Sequence, residues 1–354
     1  MKLIHCADLH LDSKMESNFS AQQSKERRAE LFETFSSMVE YAKKHEVSVI
    51  IIAGDMFDTK NSQIRIKRRV CDLIRSASGI DFLYLTGNHD NSDFLGSAEC
   101  PENLKLFGET WACYKYGDID IWGCDSGEEI YALPELTPQR RNIVVLHGQE
   151  TFGNVTGDGL VNIPAFAHRY IDYLALGHLH TYKCGNIDDR GIYCYCGCLE
   201  GRGFDECGEK GFVLIDADES GVRHEFIPFA RRTLHTVEVD LEGVVTNAEI
   251  TERINRELES VPSDDLVKIV LTGDVDEQTD IDETYIQRQY EPRFYFVKVY
   301  DRTALHIDYE NYRNDISLKG EFVRLVSAQV MVETRKKEII LTGLKALAGR
   351  EIDI

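Results

Sequence analysis

Residues 47–58 read VSVIIIAGDMFD: a seven-residue apolar run rich in β-branched side chains, then Gly54, then two carboxylates, Asp55 and Asp58. Such a run has strand length, and its lack of alternation marks a strand buried on both faces, as in the middle of a parallel sheet. The glycine and acid at its carboxyl end fall where α/β sheets gather their ligand sites. Helical patterns flank it at 22–45, with Leu31, Phe35, Met38 and Ala42 at three-to-four spacing, and at 64–76. Two more short apolar runs stand further out, 2–7 (KLIHCA) and 81–86 (DFLYLT). This strand–helix alternation predicts right-handed α/β units, so the fold class is α/β.

Beyond Trp111 the pattern turns strand-rich, with runs at 119–123, 142–146, 173–176, 192–196, 211–216 and 223–229. Two packed sheets with helices outside would bury such a set. A boundary near 231–235 divides the chain into a large domain, 1–233, and a small α+β domain, 234–354. The second has strands at 236–240, 265–272 and 294–300 and helices at 248–258, 322–332 and 337–348.

An apolar fraction of 43% excludes a disordered chain, and no apolar run approaches the ~20 residues of a membrane-spanning helix. The amino terminus lacks the longer apolar stretch of a secretory leader, so the expected compartment is the cytoplasm. The ten cysteines are accordingly expected to be reduced. Of these, Cys194, Cys196 and Cys198 share one strand face as small buried hydrophobes, with Tyr195 opposite.

The net charge is −21, and residues 235–290 alone carry fifteen Asp/Glu against four Lys/Arg. Nucleic-acid binders usually show a basic balance or a basic face. Basic residues gather at Lys25, Arg27, Arg28 and at Lys60, Arg65, Lys67, Arg68, Arg69, a strip that suits either phosphates or a solvated helix face.

Five segments each end a predicted strand with side chains able to hold a metal: Asp8/His10, Asp55/Asp58, Asn88-His89-Asp90, His147 and His178/His180. Residues two apart in extended chain project to the same side, so Asp8/His10 and His178/His180 read as pincers. Singly, an Asp or Asn at a strand end is commonly a cap or turn residue, and a His there a structural hydrogen-bonder. Seven such residues (Asp8, His10, Asp55, Asn88, His147, His178, His180) at five strand ends point instead to a metal site. Oxygen and nitrogen donors without thiolate suit Mn²⁺, Fe²⁺ or catalytic Zn²⁺, and spacing does not choose among them.

The order D-x-H, G-D-x-x-D, G-N-H-D, H-G, G-H-x-H resembles the calcineurin-like metallophosphoesterase superfamily over about residues 1–230. The resemblance implies a four-layer α/β/β/α sandwich. It implies Asp55 as the ligand shared by two divalent ions, one also held by Asp8, His10 and His180, the other by Asn88, His147 and His178. His89 would be the catalytic histidine, oriented by Asp90, and Asp58 would stand behind the ligands. Two cations about 3.5–4 Å apart lower the pKa of a bridging water, so the implied reaction is attack of metal-activated hydroxide on a phosphate ester.

The opening MKLIHCADLHLDS, the segment YLALGHLHTY and the pattern Tyr195, Gly197, Phe204, Glu206, Gly208, Lys210, Gly211 are similar to the SbcD-type DNA repair exonucleases. That similarity implies a Mn²⁺-dependent DNA exo- or endonuclease whose acidic 234–354 domain caps the catalytic one. It also implies an SbcC-like ATPase partner and a homodimer formed through the helices at 22–45 or 64–76. Arg202 reads equally as a phosphate contact and as a loop salt bridge. The competing functions are a small-molecule or nucleotide phosphodiesterase or phosphatase, and a non-catalytic scaffold subunit.

Overall fold

In the computed structural model the described residues are all but 16–18, 59–63, 88–99, 126, 128, 154–156, 158, 277–278, 280, 306–311 and 348–354. The first strand, β1 (Lys2–Cys6), leads to helix α1 (Ala21–Lys44), strand β2 (Val47–Ala53), helix α2 (Ile64–Ser76), β3 (Asp81–Leu85) and β4 (Leu104–Leu106). Ser20 starts α1 through a capping box with Gln23, while Lys43 and Lys44 complement the dipole of its last turn. The meander continues through β5 (Ala112–Tyr116), β6 (Ile119–Gly123), β7 (Arg141–His147), β8 (Gln149–Thr151) and β9 (Leu160–Asn162). Next come β10 (Tyr173–Gly177), β11 (Lys183–Asn186), β12 (Ile192–Tyr195), β13 (Gly211–Asp218) and β14 (Gly221–Pro228).

Twelve of these strands form two six-stranded sheets, ordered β14-β13-β1-β2-β3-β4 and β11-β12-β10-β7-β6-β5, and β8 and β9 pair separately. The central strands of each run parallel, β1–β2–β3 in the first and β6–β7–β10–β12 in the second, so their carboxyl ends share an edge. Strand alternation assigns each face. Leu3, Val49, Ile51 and Ala53 pack between the sheets against Ile143, Val145 and Ala175. Ile4, Ile50, Ile52 and Phe82 pack under Leu31, Phe35, Met38, Val70 and Ile74 of the two helices. Each such burial contributes roughly 1.5–3 kcal/mol against conformational entropy.

The outermost layer over the second sheet is thin. Val144, Leu146, Leu174 and Leu176 are covered by Ile130, Leu133, Leu136, Ile163 and Phe166. These come from two 3₁₀ turns, Glu129–Tyr131 and Ile163–Phe166, and the loops beside them. Pro134, Pro138 and Pro164 interrupt any longer helix there.

Cys184 and Cys194 stand directly opposite in the antiparallel β11–β12 pair and are joined as a disulfide, which corrects the expectation that all thiols are reduced. Short edge strands such as β4, β5, β8 and β11 escape sequence reading because three to five half-exposed residues carry no strong period. No helix among the described residues is long and apolar enough to cross a membrane.

The chain divides into two compact units, Met1–Leu234 and His235–Ile354. The second begins within β15 (Leu234–Asp240) and continues through α3 (Asn247–Glu257), β16 (Leu266–Thr272), β17 (Asp274–Val275), α4 (Glu283–Tyr290), β18 (Phe296–Asp301), β19 (Ala304–Leu305), α5 (Leu318–Ser327) and α6 (Glu333–Leu347). A three-stranded sheet ordered β15-β16-β18 packs Val267, Ile269 and Val299 against Ile250, Ile254 and Ile286 of α3 and α4. The helix expected at 322–332 instead starts at Leu318, because the Ser317 hydroxyl accepts the Gly320 N–H and fixes its first turn.

Candidate metal centre

The carboxyl ends of β1, β2, β7 and β10 bring Asp8, His10, Asp55, His147, His178 and His180 to one edge of the sandwich. The loops after β1 and β2 run together, with the Asp8 N–H donating to Gly54 O at 3.1 Å and the His10 N–H to Asp55 O at 3.1 Å. Two contacts cross to the second sheet. The His178 N–H donates to both carboxylate oxygens of Asp8 at 3.1 and 3.0 Å, and His147 Nδ1 lies 2.8 Å from Ala53 O.

The pincers are not made by extended chain as the two-residue spacing suggested. Asp8, His10, Asp55 and His178 all have positive φ, at 51°, 43°, 51° and 106°. Non-glycine residues held there cost about 1–3 kcal/mol each and cluster where function requires a fixed aim. Left-handed turns, rather than the pleat, point these side chains inward.

Two three-residue groups have ligand atoms within 4.8 Å of one another: Asp8, His10 and His180, and Asp8, Asp55 and His147. Asp8 is common to both, whereas the resemblance implied Asp55 as the shared carboxylate. The His178 ring belongs to neither group and stands edge-on to His147, with centroids 5.5 Å apart. Asn88, His89 and Asp90 lie outside the described residues.

The imidazoles are pre-set for a cation. His147 Nδ1 faces the Ala53 carbonyl, His180 Nδ1 lies 2.6 Å from Glu206 Oε1, and His10 Nδ1 lies 3.1 Å from Asp58 Oδ1. At His147 and His180, an Nδ1–H spent on an oxygen acceptor leaves the Nε2 lone pair for a metal, while at His10 the Asp58 carboxylate is within ion-pair distance of Nδ1. The Nε2 atoms of His10 and His180 face each other at 3.3 Å, and His147 Nε2 is 3.4 Å from Asp55 Oδ2. Two imidazole lone pairs so close need a proton or a cation between them.

The charge distribution makes the same demand. Burial raises the Asp8 carboxyl; His147 and His180 oppose the rise and Asp55 adds to it. Burial disfavours charge on His147, yet its hydrogen bond to Asp55 and the nearby Asp8 lift it to about 9. Burial likewise works against His180, but Glu206 lifts it. Burial lowers His178, reinforced by the neighbouring His147. Protons here occupy positions that a cation would take on binding. The donor set therefore fits divalent metal ions.

Sequence reading placed Asp58 behind the ligands and offered a salt bridge for Arg202, but gave Glu206 and Lys210 no role. Burial opposes ionisation of Glu206, but the hydrogen bond to His180 and the Arg202 guanidinium bring its carboxyl down to about 2. Arg202 is a salt-bridge residue, with Nη1 donating to Asp58 at 3.0 Å and Nη2 to Glu206 at 2.9 Å. The buried Lys210 donates to His180 O at 2.7 Å. Glu206 and Lys210 belong to the SbcD-like pattern, but their spacing alone carries no role.

Gly177, between β10 and His178, passes so close to β2 that a Cβ would sit 1.9 Å from Ala53 O and 2.8 Å from His147 Nδ1. Gly177→Ala is therefore expected to destabilise the chelator-treated protein by about 1–3 kcal/mol through overpacking. An unchanged thermal midpoint would show that the sheets do not approach this closely.

A family model described as calcineurin-like phosphoesterase matches residues 1–182. The uncharacterized metallophosphoesterase YhaO of Bacillus subtilis is 26% identical over 64% of this chain and 60% of its own length. The DNA double-strand break repair protein Mre11 of Methanosarcina mazei is 23% identical over 77% of this chain and 45% of its own. Mre11 of Aeropyrum pernix is 25% identical, covering 73% and 68%. The matches to the first two relatives thus span 60% and 45% of those proteins. Among solved structures, TT1561 of Thermus thermophilus aligns over 64% of this chain and 98% of its own, with 13% identity and a TM-score of 0.44.

Proposed function

The chain belongs to the calcineurin-like phosphoesterases, and from that premise we propose that it is a two-metal phosphodiester hydrolase of the SbcD type acting on DNA. The observation that carries the reading is the convergence of Asp8 and Asp55 with ring nitrogens of His10, His147 and His180. DNA is favoured among phosphate esters by the DNA double-strand break repair proteins among its relatives.

In this reading Asp8, His10, Asp55 and His180 hold one ion, and Asp55, Asn88, His147 and His178 the other. Mn²⁺ is the proposed ion, from the similarity to the SbcD-type exonucleases, and the oxygen and nitrogen donors suit it as they suit Fe²⁺ or Zn²⁺. When bound, the ions supply Lewis acidity toward a phosphate oxygen and toward water. The protein's own part is positioning and charge. Asp8 and Asp55 provide buried negative charge. Ala53 O, Asp58 and Glu206 hold His147, His10 and His180 with Nε2 turned inward. His89, steadied by Asp90, is assigned the proton that the leaving alkoxide needs. Residues 234–354 are assigned the capping role, and the proposed partners are DNA, an SbcC-like ATPase and a second copy meeting through α1 or α2.

A second reading, a phosphoesterase for small molecules or nucleotides, is favoured by the overall acidity of the chain, and part of the basic strip is taken up internally. Lys67 and Arg27 are buried, Arg27 paired with Glu30 and Glu200, and Arg69 stacks 3.9 Å above the Phe32 ring. Lys25, Arg28, Arg65, Arg68 and Arg69 stay exposed, so what weighs against a duplex is the net charge of −21 rather than loss of the strip.

The test is elemental analysis of the purified protein, then Mn²⁺-dependent turnover of linear DNA, hairpin DNA and nucleotide esters, with Asp55→Asn and His89→Ala alongside. DNA cleavage that both substitutions abolish is the expected result. Ester turnover with intact DNA would select the second reading. Protein that neither binds metal nor hydrolyses any ester would defeat both and leave a scaffold.

A further inference from the structure

Arg202 lies on the loop between β12 and β13, far in sequence from every ligand except the His178/His180 pair. Its guanidinium nonetheless touches the supports of two of them. Nη1 donates to Asp58 Oδ1 at 3.0 Å. Nε and Nη2 donate to Glu206 Oε1 at 3.2 and 2.9 Å. The Arg202 backbone N–H donates to Glu206 Oε2 at 2.7 Å, and Nη2 lies 3.3 Å from His180 Nδ1.

The two carboxylates stand behind the imidazoles, Glu206 hydrogen-bonded to His180 Nδ1 at 2.6 Å and Asp58 within ion-pair distance of His10 Nδ1 at 3.1 Å. His10 belongs to the first sheet's edge and His180 to the second's. One planar fork therefore contacts the carboxylates behind both imidazoles, whose Nε2 atoms stand 3.3 Å apart. Asp58 is partly exposed, so without the guanidinium it has solvent to turn to. The opposite group, Asp55 with His147, is aimed by the Ala53 carbonyl instead and takes nothing from Arg202 in these contacts.

We propose that Arg202 is a positioning residue: by bridging Asp58 and Glu206 it fixes the separation and aim of His10 and His180, and so governs the cation held by Asp8, His10 and His180 and not the one beside Asp55 and His147. The inference rests on the two-metal reading above. It also separates Arg202 from substrate, because its donors already face carboxylates. Lysine, a single point charge, serves one carboxylate but not both in fork geometry.

The test is Mn²⁺ titration by calorimetry, with electron paramagnetic resonance of the loaded protein, on wild type, Arg202→Met, Arg202→Lys and Glu206→Gln. Wild type is expected to take two Mn²⁺ per chain and show a spin-coupled pair. Arg202→Met is expected to keep one site and weaken the other by about 10–100-fold, the range for losing a group behind a ligating histidine, so that an uncoupled Mn²⁺ signal replaces the pair. Arg202→Lys should recover part of that loss. Glu206→Gln leaves an acceptor for His180 but removes the charge that Arg202 grips, so it reports on the same link should Arg202→Met not fold. Two wild-type affinities and a coupled signal in folded Arg202→Met would overturn the inference while leaving the metal site standing. So would an increase in KM for a phosphate ester with both Mn²⁺ affinities unchanged, which would mark Arg202 as a substrate contact. Wild-type protein that takes up no Mn²⁺ would defeat the two-metal reading, and this inference with it.

Discussion

Replacing Asp8 by Asn is expected to abolish metal-dependent hydrolysis while leaving the metal-free protein as stable as wild type or more so. Asp8 is 1% exposed, sits at a positive φ and contributes to both candidate ligand groups. Its environment penalises the charge that a metal would need: burial raises the carboxyl, and the Asp55 carboxylate beside it adds to the rise against the pull of His147 and His180. Asn has nearly the same shape and retains an oxygen for the His178 N–H, so the fold loses little. Loss of a ligand carboxylate removes several kcal/mol of charge stabilisation from the reaction, about 10³-fold or more in rate. Relief of the buried and only partly compensated charge should add about 0.5–2 kcal/mol to metal-free stability, as expected where function is maintained at the expense of fold. Activity assays and thermal unfolding in chelator measure the two halves separately. Full activity in the variant would remove Asp8 from the site. A lower midpoint than wild type in chelator would show that the buried carboxylate stabilises the fold rather than burdening it.

The second large effect is acid sensitivity centred on His5. This residue lies in the middle of β1, wholly buried, with Nδ1 2.9 Å from the Tyr173 hydroxyl and its ring edge-on to that tyrosine. Burial lowers it to about 3, opposed by a backbone hydrogen bond at Leu176. The unfolded chain protonates at its ordinary value, about 6.5. Between these values the unfolded state binds a proton that the folded state does not, so stability rises with pH there. The contribution is present in full above the unfolded value and is lost as pH falls toward the folded one. Some 3.5 units at about 1.4 kcal/mol each amount to about 4–5 kcal/mol, with about half gone near pH 4.5.

Urea unfolding of chelated wild type and His5→Gln between about pH 7 and pH 4.5 tests this through the slope of stability against pH. The variant's slope is expected to be shallower by nearly one proton. Carboxylates titrate over the same range in both proteins and cancel in the comparison. Parallel slopes would mean that the His5 ring reaches water or a counter-charge and is not held neutral.

Much of the catalytic unit was legible because its central strands are buried on both faces. A run such as Val47–Ala53 can be little else than an inner strand, and its boundaries coincide with those observed. The same continuity located the strand ends, and with them Asp8, His10, Asp55, His147, His178 and His180, since parallel strands must deliver their carboxyl ends to one edge. The shortest edge strands and turns were not legible, because half-exposed segments of a few residues are chosen by their neighbours rather than by their own pattern. The Cys184–Cys194 pairing belongs with them, since it depends on the β11–β12 register.

The amino-acid order by itself determined which elements form, which chemistry is available and where along the chain it sits, because periodicity and residue type are local properties. Only the tertiary structure decided how that chemistry is aimed. The left-handed turns at Asp8, His10, Asp55 and His178, the sharing of Asp8 between two groups, and the Arg202 bridge from Asp58 to Glu206 all join residues on different strands and sheets. Distances across space are set by packing of the whole sandwich, and no window along the chain contains them.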